Sequence, residues 1–224
     1  VAAAINAPIG ILGGTFDPVH FGHLRLAQEF GETLRLSEVR FIPSGIPPHR
    51  AAPQATPAQR VAMVRLAIVN NPLFMLDDRE IARDGPGYTI DTLTELRREL
   101  GATRPLCVLL GADAFLDLVT WHRWHELFNL AHIVVAHRPG FPVTDWSARM
   151  PQPLAREFEA RRMPQPLAVH LSPAGGIVMQ PIAALDVSAS LIRAALGGGV
   201  NPRYLLPDSV LDYIRSNNLY SRSE

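Results

Sequence analysis

Apolar residues fall along this chain in two alternating rhythms. Short unbroken runs at Ile9–Leu12, Val39–Ile42, Phe74–Leu76, Leu106–Leu110 and Ile133–Ala136 read as buried strands. Between them apolar positions recur every three or four residues, as at Leu24, Ala27, Phe30 and Leu34. That spacing predicts helices over 24–36, 60–69 and 89–100. A helix over 190–196, ended by Gly197-Gly198-Gly199, and another over 210–217 complete the pattern. A Pro-rich loop fills 43–57.

Strands alternating with helices predict an α/β fold. The expected architecture is a Rossmann-like, mainly parallel sheet with helices on both faces and a small C-terminal helical region. Ligands of such sheets bind beyond the carboxyl ends of the strands, so the loops after Leu12, Ile42, Leu110 and Ala136 are where chemistry is expected. With 224 residues, 47% of them hydrophobic, the chain suffices for one domain over 1–224. The pattern weakens over about 139–173, where RMPQPLA occurs at Arg149–Ala155 and again at Arg162–Ala168. Two copies do not make a solenoid; the stretch reads as a surface excursion without assigned function.

Charge narrows the function. The 21 Lys+Arg residues, every one an arginine, balance 21 Asp+Glu. A neutral chain argues against a broad nucleic-acid face, because neutralising many phosphates takes a basic excess. Phosphate chemistry, if present, belongs in one pocket. Cys107 is the single cysteine and sits in the apolar run LCVLL. It reads as a buried structural thiol in a reducing compartment. No run reaches transmembrane length, and the opening residues lack the charged and apolar regions of a signal peptide. A cytoplasmic protein without a membrane partner is expected; whether copies associate is left open.

The informative stretch is GGTFDPVHFGH, Gly13 to His23, placed between a buried strand and a helix. Such a junction aims backbone N–H groups and the positive end of a helix at an anion. It is neither a Walker loop, which would need a lysine, nor GxGxxG. His20 and His23 lie three apart and share one face of a helical turn. Gly22 between them is expected to leave room for a phosphate. Imidazole donors suit a transferring phosphoryl group. A zinc pair would need further ligands that the neighbourhood does not supply, and two capping histidines are the bland reading. No protein-bound metal is expected.

HxGH after a strand and GGTFDP resembles the nucleotidyltransferase superfamily that includes the class I aminoacyl-tRNA synthetases. Its second signature, ISSTxIR, resembles DVSASLIR at Asp186–Arg193, with Ala189 where a serine is usual. Ser188 or Ser190 suits a helix cap, and Arg193 offers a planar fork for phosphate oxygens. Three more stretches are similar to bacterial nicotinate-mononucleotide adenylyltransferases: IPSGIPPHR at Ile42–Arg50, with Arg50 for the usual lysine, GYTIDTL at Gly87–Leu93, and GADAF at Gly111–Phe115 followed by Trp121.

The resemblance implies AMP transfer from ATP, carried with Mg²⁺, to nicotinate mononucleotide. It implies that His20, His23 and Arg193, with Ser188 and Ser190, hold the ATP phosphates. Gly13, Gly14, Thr15 and Phe16 would line the nucleotide cleft, and Gly111 and Asp113 would meet adenosine or ribose. On the acceptor side, Trp121 would stack on the pyridine ring and Thr89 would lie by its carboxylate. His49 and Arg50 would face the acceptor phosphate, and Arg138 would be a substrate contact. From the residues alone, Trp121 could be a core aromatic, either tryptophan of WHRWH could stack, Thr89 could cap its helix and Asp113 could be a turn residue. Tyr88 and Asp91 read as structural, and His122 and His125 as a solvated face. Rival readings are an enzyme acting on nicotinamide mononucleotide or phosphopantetheine, a synthetase fragment, and a nucleotide sensor without catalysis.

Overall fold

The computed structural model describes residues 7–45, 52–137, 149–183 and 185–221. Strands β1 (Ile9–Gly14), β2 (Glu38–Pro43), β3 (Phe74–Leu76), β4 (Leu106–Gly111), β5 (His132–His137), β6 (Arg162–Met163) and β7 (Ile177–Pro181) form one parallel sheet. Their order is β3-β2-β1-β4-β5-β7-β6. The predicted α/β fold is therefore the observed one. The order reverses at β1, whose carboxyl end becomes the glycine loop. Strands β6 and β7 were not apparent in the sequence: one is two residues long and the other ends in Gln180-Pro181.

Helices are α1 (Phe21–Thr33), α2 (Pro57–Ile68), α3 (Arg79–Ala82), α4 (Thr89–Leu100), α5 (Ala112–Leu116), α6 (Leu127–Leu130), α7 (Gln152–Arg161), α8 (Ala189–Gly197) and α9 (Asp208–Ser216). Helix α2 begins three residues before the periodicity suggests. Thr56 caps it through a hydroxyl that accepts from the Gln59 N–H, Gln59 returns the bond to the Thr56 N–H, and Pro57 opens the first turn. Apolar spacing sees only the buried face of a helix, not its cap.

By internal contacts the chain divides into two compact units. The first comprises Val1–Leu12, Leu26–Arg40 and Tyr88–Ala184. Its centre is the parallel run of β1, β4, β5 and β7, in register at Ile11↔Val108, Val108↔Ile133 and Ile133↔Ile177. Those side chains are buried, as are Ile90, Leu93 and Leu96 of α4. Burial on both faces is why LCVLL is unbroken rather than alternating. Each fully buried aliphatic side chain there contributes roughly 2 kcal/mol. Arg97 of α4 ties this unit's loops by donating to the carbonyls of Gly101, Arg104, Leu130 and Pro173.

The two RMPQPLA copies take different forms. The first runs into α7, with Leu154 buried; the second supplies β6 and a 3-10 turn over Pro166–His170, with Leu167 exposed.

The second unit comprises Gly13–Arg25, Phe41–Gly87 and Leu185–Glu224. It joins the glycine loop and the start of α1 to α2, β3, α8 and α9. Phe30 of α1 and Leu34 just beyond its end belong to the first unit, whereas Met63 and Val64 of α2 and Val210 and Ile214 of α9 are buried in the second.

Candidate active site

In the second unit the chain leaves β1 through Gly13 and Gly14. A side chain added at Gly13 would meet no protein atom within 4 Å, whereas one at Gly14 would meet the Phe16 ring at 3.1 Å. Gly13 is thus open toward solvent, and Gly14 is small because Phe16 folds back over it. Phe16 has a positive φ of 51° and is 1% exposed. Its ring packs edge-on against His23, 5.0 Å between centroids, and beside Phe41. Phe16 was expected to line a nucleotide cleft; its side chain instead supports His23, leaving only its backbone for a ligand.

His20 and His23 lie where the one-turn spacing puts them, with rings stacked at 3.8 Å between centroids. The His20 N–H donates to His23 Nδ1 at 3.3 Å, so the neutral His23 ring carries its proton on Nε2. His20 is buried, and that burial lowers its pKa to about 4. It is therefore a neutral imidazole at pH 7. Its Nδ1 is buried with no hydrogen-bond partner among the described residues, an orphan that an oxygen-rich ligand would satisfy.

Gly22 corrects an expectation. A side chain there would come within 3.0 Å of the His20 ring and 3.1 Å of Val187. The space its hydrogen leaves is filled by the imidazole and by the approach to α8, not by an open phosphate slot. That close packing has an electrostatic result. Gly22 lies in the first turn of α1, and Val187 directly precedes the cap of α8. Two helix N-termini meet, each with partial positive charge, although the Phe21, His23 and Leu24 N–H groups of one and the Leu191 N–H of the other are already bonded within the protein.

Ser188 caps α8, accepting from the Leu191 N–H at 3.2 Å, and its hydroxyl lies 3.0 Å from that of Ser190. Of the two expected serines, Ser188 is the cap and Ser190 its partner. One turn on, Arg193 donates from Nη1 to the Asp17 carbonyl at 2.7 Å. The predicted cation is thus fastened to the loop that carries both histidines.

Asp17 was overlooked in the sequence. It is buried, and its carboxylate accepts the Gln54 and Ala55 N–H groups and the Tyr220 hydroxyl. Arg60, 1% exposed within α2, was also overlooked; it donates to the carbonyls of Thr15 and Gly45 at 2.8 and 3.3 Å. Thr15 therefore enters through its backbone, held from behind. An aspartate following a strand–glycine turn is the one sequence signal that could have flagged Asp17 as a loop tie.

The first unit holds a separate cluster. Thr89 is the first residue of α4, whose cap position is Tyr88 with no side-chain cap bond. Thr89 is therefore not a capping residue. The Tyr88 ring lies 4.4 Å from that of His122, which brings Thr89 and Trp121 into one neighbourhood. His122 is exposed, as expected of a solvated face, and touches the Tyr88 ring from there. Trp121 is half-buried at the end of a short 3-10 turn, while Trp124 is buried edge-on to Phe128. That separates the tryptophans of WHRWH: Trp124 is core, and Trp121 is the more accessible of the two. Gly111 precedes α5 with 4 Å of clear space at its Cα, and Asp113 is exposed in the first turn. His49, Arg50 and Arg138 lie outside the described residues.

Among the described residues no group of three or more His, Cys, Asp or Glu is placed to hold a metal ion, and no helix is long and apolar enough to cross a membrane.

Comparison with known proteins places the chain in a family. The cytidylyltransferase-like family matches residues 11–195. A protein of Dechloromonas aromatica (strain RCB) named "Probable nicotinate-nucleotide adenylyltransferase" is 53% identical over 219 residues, covering 98% of this chain and 100% of its own length. A protein of the same name from Aeromonas salmonicida (strain A449) is 48% identical over 216 residues, covering 96% and 98%. The fold also matches Plasmodium falciparum nicotinic acid mononucleotide adenylyltransferase complexed with NaAD. That likeness has a TM-score of 0.71 at 19% identity and covers 96% of this chain and 98% of the other. From the stacked histidines of its glycine loop to this likeness along nearly all its length, the chain belongs to the cytidylyltransferase-like family, among the nicotinate-nucleotide adenylyltransferases.

Proposed function

We propose that this enzyme transfers AMP from Mg-ATP to nicotinate mononucleotide, giving nicotinate adenine dinucleotide and pyrophosphate. The observation that carries the reading is the union, on one loop, of two stacked imidazoles and the Arg193 guanidinium beside two abutting helix N-termini. No neutral ligand needs that concentration of positive and donor groups. A polyphosphate does.

In the reaction an oxygen of the mononucleotide phosphate forms a bond to the α-phosphorus of ATP. The bond from that phosphorus to the bridging oxygen breaks, and pyrophosphate leaves with the electron pair. The attacking phosphate has a second pKa of about 6 and is already ionised at neutral pH, so no general base is required. Catalysis rests on position and on charge stabilisation. His20 and His23 donate to the phosphate oxygens as neutral imidazoles, and Arg193 balances charge gathering on pyrophosphate. Mg²⁺ arrives with ATP, held by its phosphates and by water, so an acidic cage in the protein is unnecessary. Gly111 and Asp113 are read as adenosine contacts, Trp121 as the stacking partner of the pyridine ring and Thr89 as a neighbour of its carboxylate. The setting is the cytoplasm, with no nucleic-acid or membrane partner.

The test is a panel of phosphorylated acceptors incubated with Mg-ATP and scored for dinucleotide. Nicotinate mononucleotide is expected to be the preferred acceptor. Preference for nicotinamide mononucleotide or phosphopantetheine would reassign the acceptor, and ATP binding without turnover on any of them would make the chain a sensor.

A further inference from the structure

Tyr220 lies 203 residues from the loop it touches. Its hydroxyl donates to Asp17 Oδ1 at 2.6 Å, and the residue is 9% exposed. It follows α9 in a tight turn, where Leu219 donates its N–H to the Ile214 carbonyl and Tyr220 takes a positive φ of 62°. The same residue backs onto α8: a side chain added at Gly197 would lie 3.6 Å from the Tyr220 carbonyl oxygen. Tyr220 thus meets both the loop that bears the histidines and the helix that bears Arg193.

The arrangement around Asp17 shows what this contact does. Arg193 Nη1 is bonded to the Asp17 main-chain oxygen at 2.7 Å but stands 4.0 Å from carboxylate Oδ2. The carboxylate is turned away because its oxygens are already engaged: Oδ1 by Tyr220 and the Ala55 N–H, Oδ2 by the Gln54 N–H. Without the hydroxyl, Oδ1 keeps only the Ala55 N–H and Oδ2 only the Gln54 N–H, and a carboxylate with one donor fewer can tilt from 4.0 Å into a close ion pair with Arg193. The guanidinium would then be neutralised by its own loop instead of by phosphate. Burial and the Asp17 contact raise the Tyr220 pKa well above its ordinary value, so the phenol remains a donor throughout the working range.

We propose that Tyr220 is a positioning residue for adenylyl transfer: by engaging the Asp17 carboxylate it keeps the Arg193 guanidinium available to the phosphates. The proposal rests on the adenylyltransferase reading and deepens it. Tyr220→Phe keeps the ring and removes only the donor. Its expected effect is about a tenfold fall in kcat and about a fivefold rise in the KM for ATP, because the missing charge serves the bound triphosphate and, more strongly, the departing pyrophosphate. In an Arg193→Ala background the same substitution is expected to cost less than twofold, since there is no guanidinium left to protect.

A tenfold loss that persists without Arg193 would mark a merely structural role and overturn the proposal, as would wild-type kcat in Tyr220→Phe. If that variant fails to fold, Asp17→Asn removes the charge that would close on Arg193 and should lower kcat less than threefold; a tenfold loss would overturn the proposal, because the contact would then matter with no competing carboxylate present. Binding of inorganic tripolyphosphate, followed by calorimetry, separates this proposal from the reading beneath it. If wild type makes no dinucleotide, the reading fails; Tyr220→Phe should still weaken tripolyphosphate binding about fivefold, and only where Arg193 is present. Equal binding by both proteins would refute the positioning role by itself.

Discussion

Replacing His20 by glutamine tests the electrostatics of the loop without any substrate. Burial holds the His20 pKa at about 4 in the folded chain against 6.5 when unfolded. Between those values the unfolded state binds more protons, so stability rises with pH across the window. The contribution is complete above pH 6.5 and is lost as pH falls toward 4. With those two pKa values, linkage gives about 2 kcal/mol lost between pH 7 and pH 5, approaching a ceiling of about 3 kcal/mol at lower pH. The assay is urea denaturation of wild type and His20→Gln at pH 5, 6 and 7, comparing unfolding free energies. Other titrating groups, including the buried His132, are common to both proteins and cancel. Wild type is expected to lose about 2 kcal/mol more than the variant on going from pH 7 to pH 5. Parallel pH dependences would show that the imidazole titrates as if in water, and the account of a buried, neutral, stacked donor would fall.

The catalytic role of the same pair is checked by His20→Ala or His23→Ala, each expected to lower kcat roughly 10²- to 10³-fold, the scale of losing one preorganised donor; near wild-type turnover would remove that residue from the chemistry. Trp121→Ala should weaken mononucleotide binding more than ATP binding in calorimetry, and equal loss would remove the stacking assignment. Arg60→Met leaves the half-buried Thr15 and Gly45 carbonyls without their donor, and thermal or urea unfolding should report a loss of about 2 kcal/mol. No change there would mean that the guanidinium does not hold the loop.

The glycine–histidine loop was legible because its meaning is local. A strand end, two glycines and two histidines one turn apart allow few arrangements, and the stacked rings are one of them. The serine cap and Arg193 were legible for the same reason. What failed was also physical. Gly22 was read as space for a ligand, but which neighbour fills a missing side chain is decided by tertiary packing, here the His20 ring and Val187. Arg60 was hidden because a charged residue at a helical position reads as surface, while its partners are carbonyls up to 45 residues away. Tyr220 was hidden by sequence distance alone. The repeated heptapeptide gives the sharpest case: its QPLA enters an α-helix in one copy and leads into a 3-10 turn in the other, while its RM lies in a turn in one and an edge strand in the other, so the surroundings and not the local sequence choose between them.

The meeting of α1 and α8 at Gly22 and Val187 also couples folding to supply. Like poles pushed together repel, and any bound polyanion relieves that repulsion in the native state alone. A ligand at a hundred times its dissociation constant adds about 2.7 kcal/mol to native stability. With nucleotide bound the enzyme is correspondingly harder to unfold, so its resistance to added protease is expected to rise with nucleotide concentration.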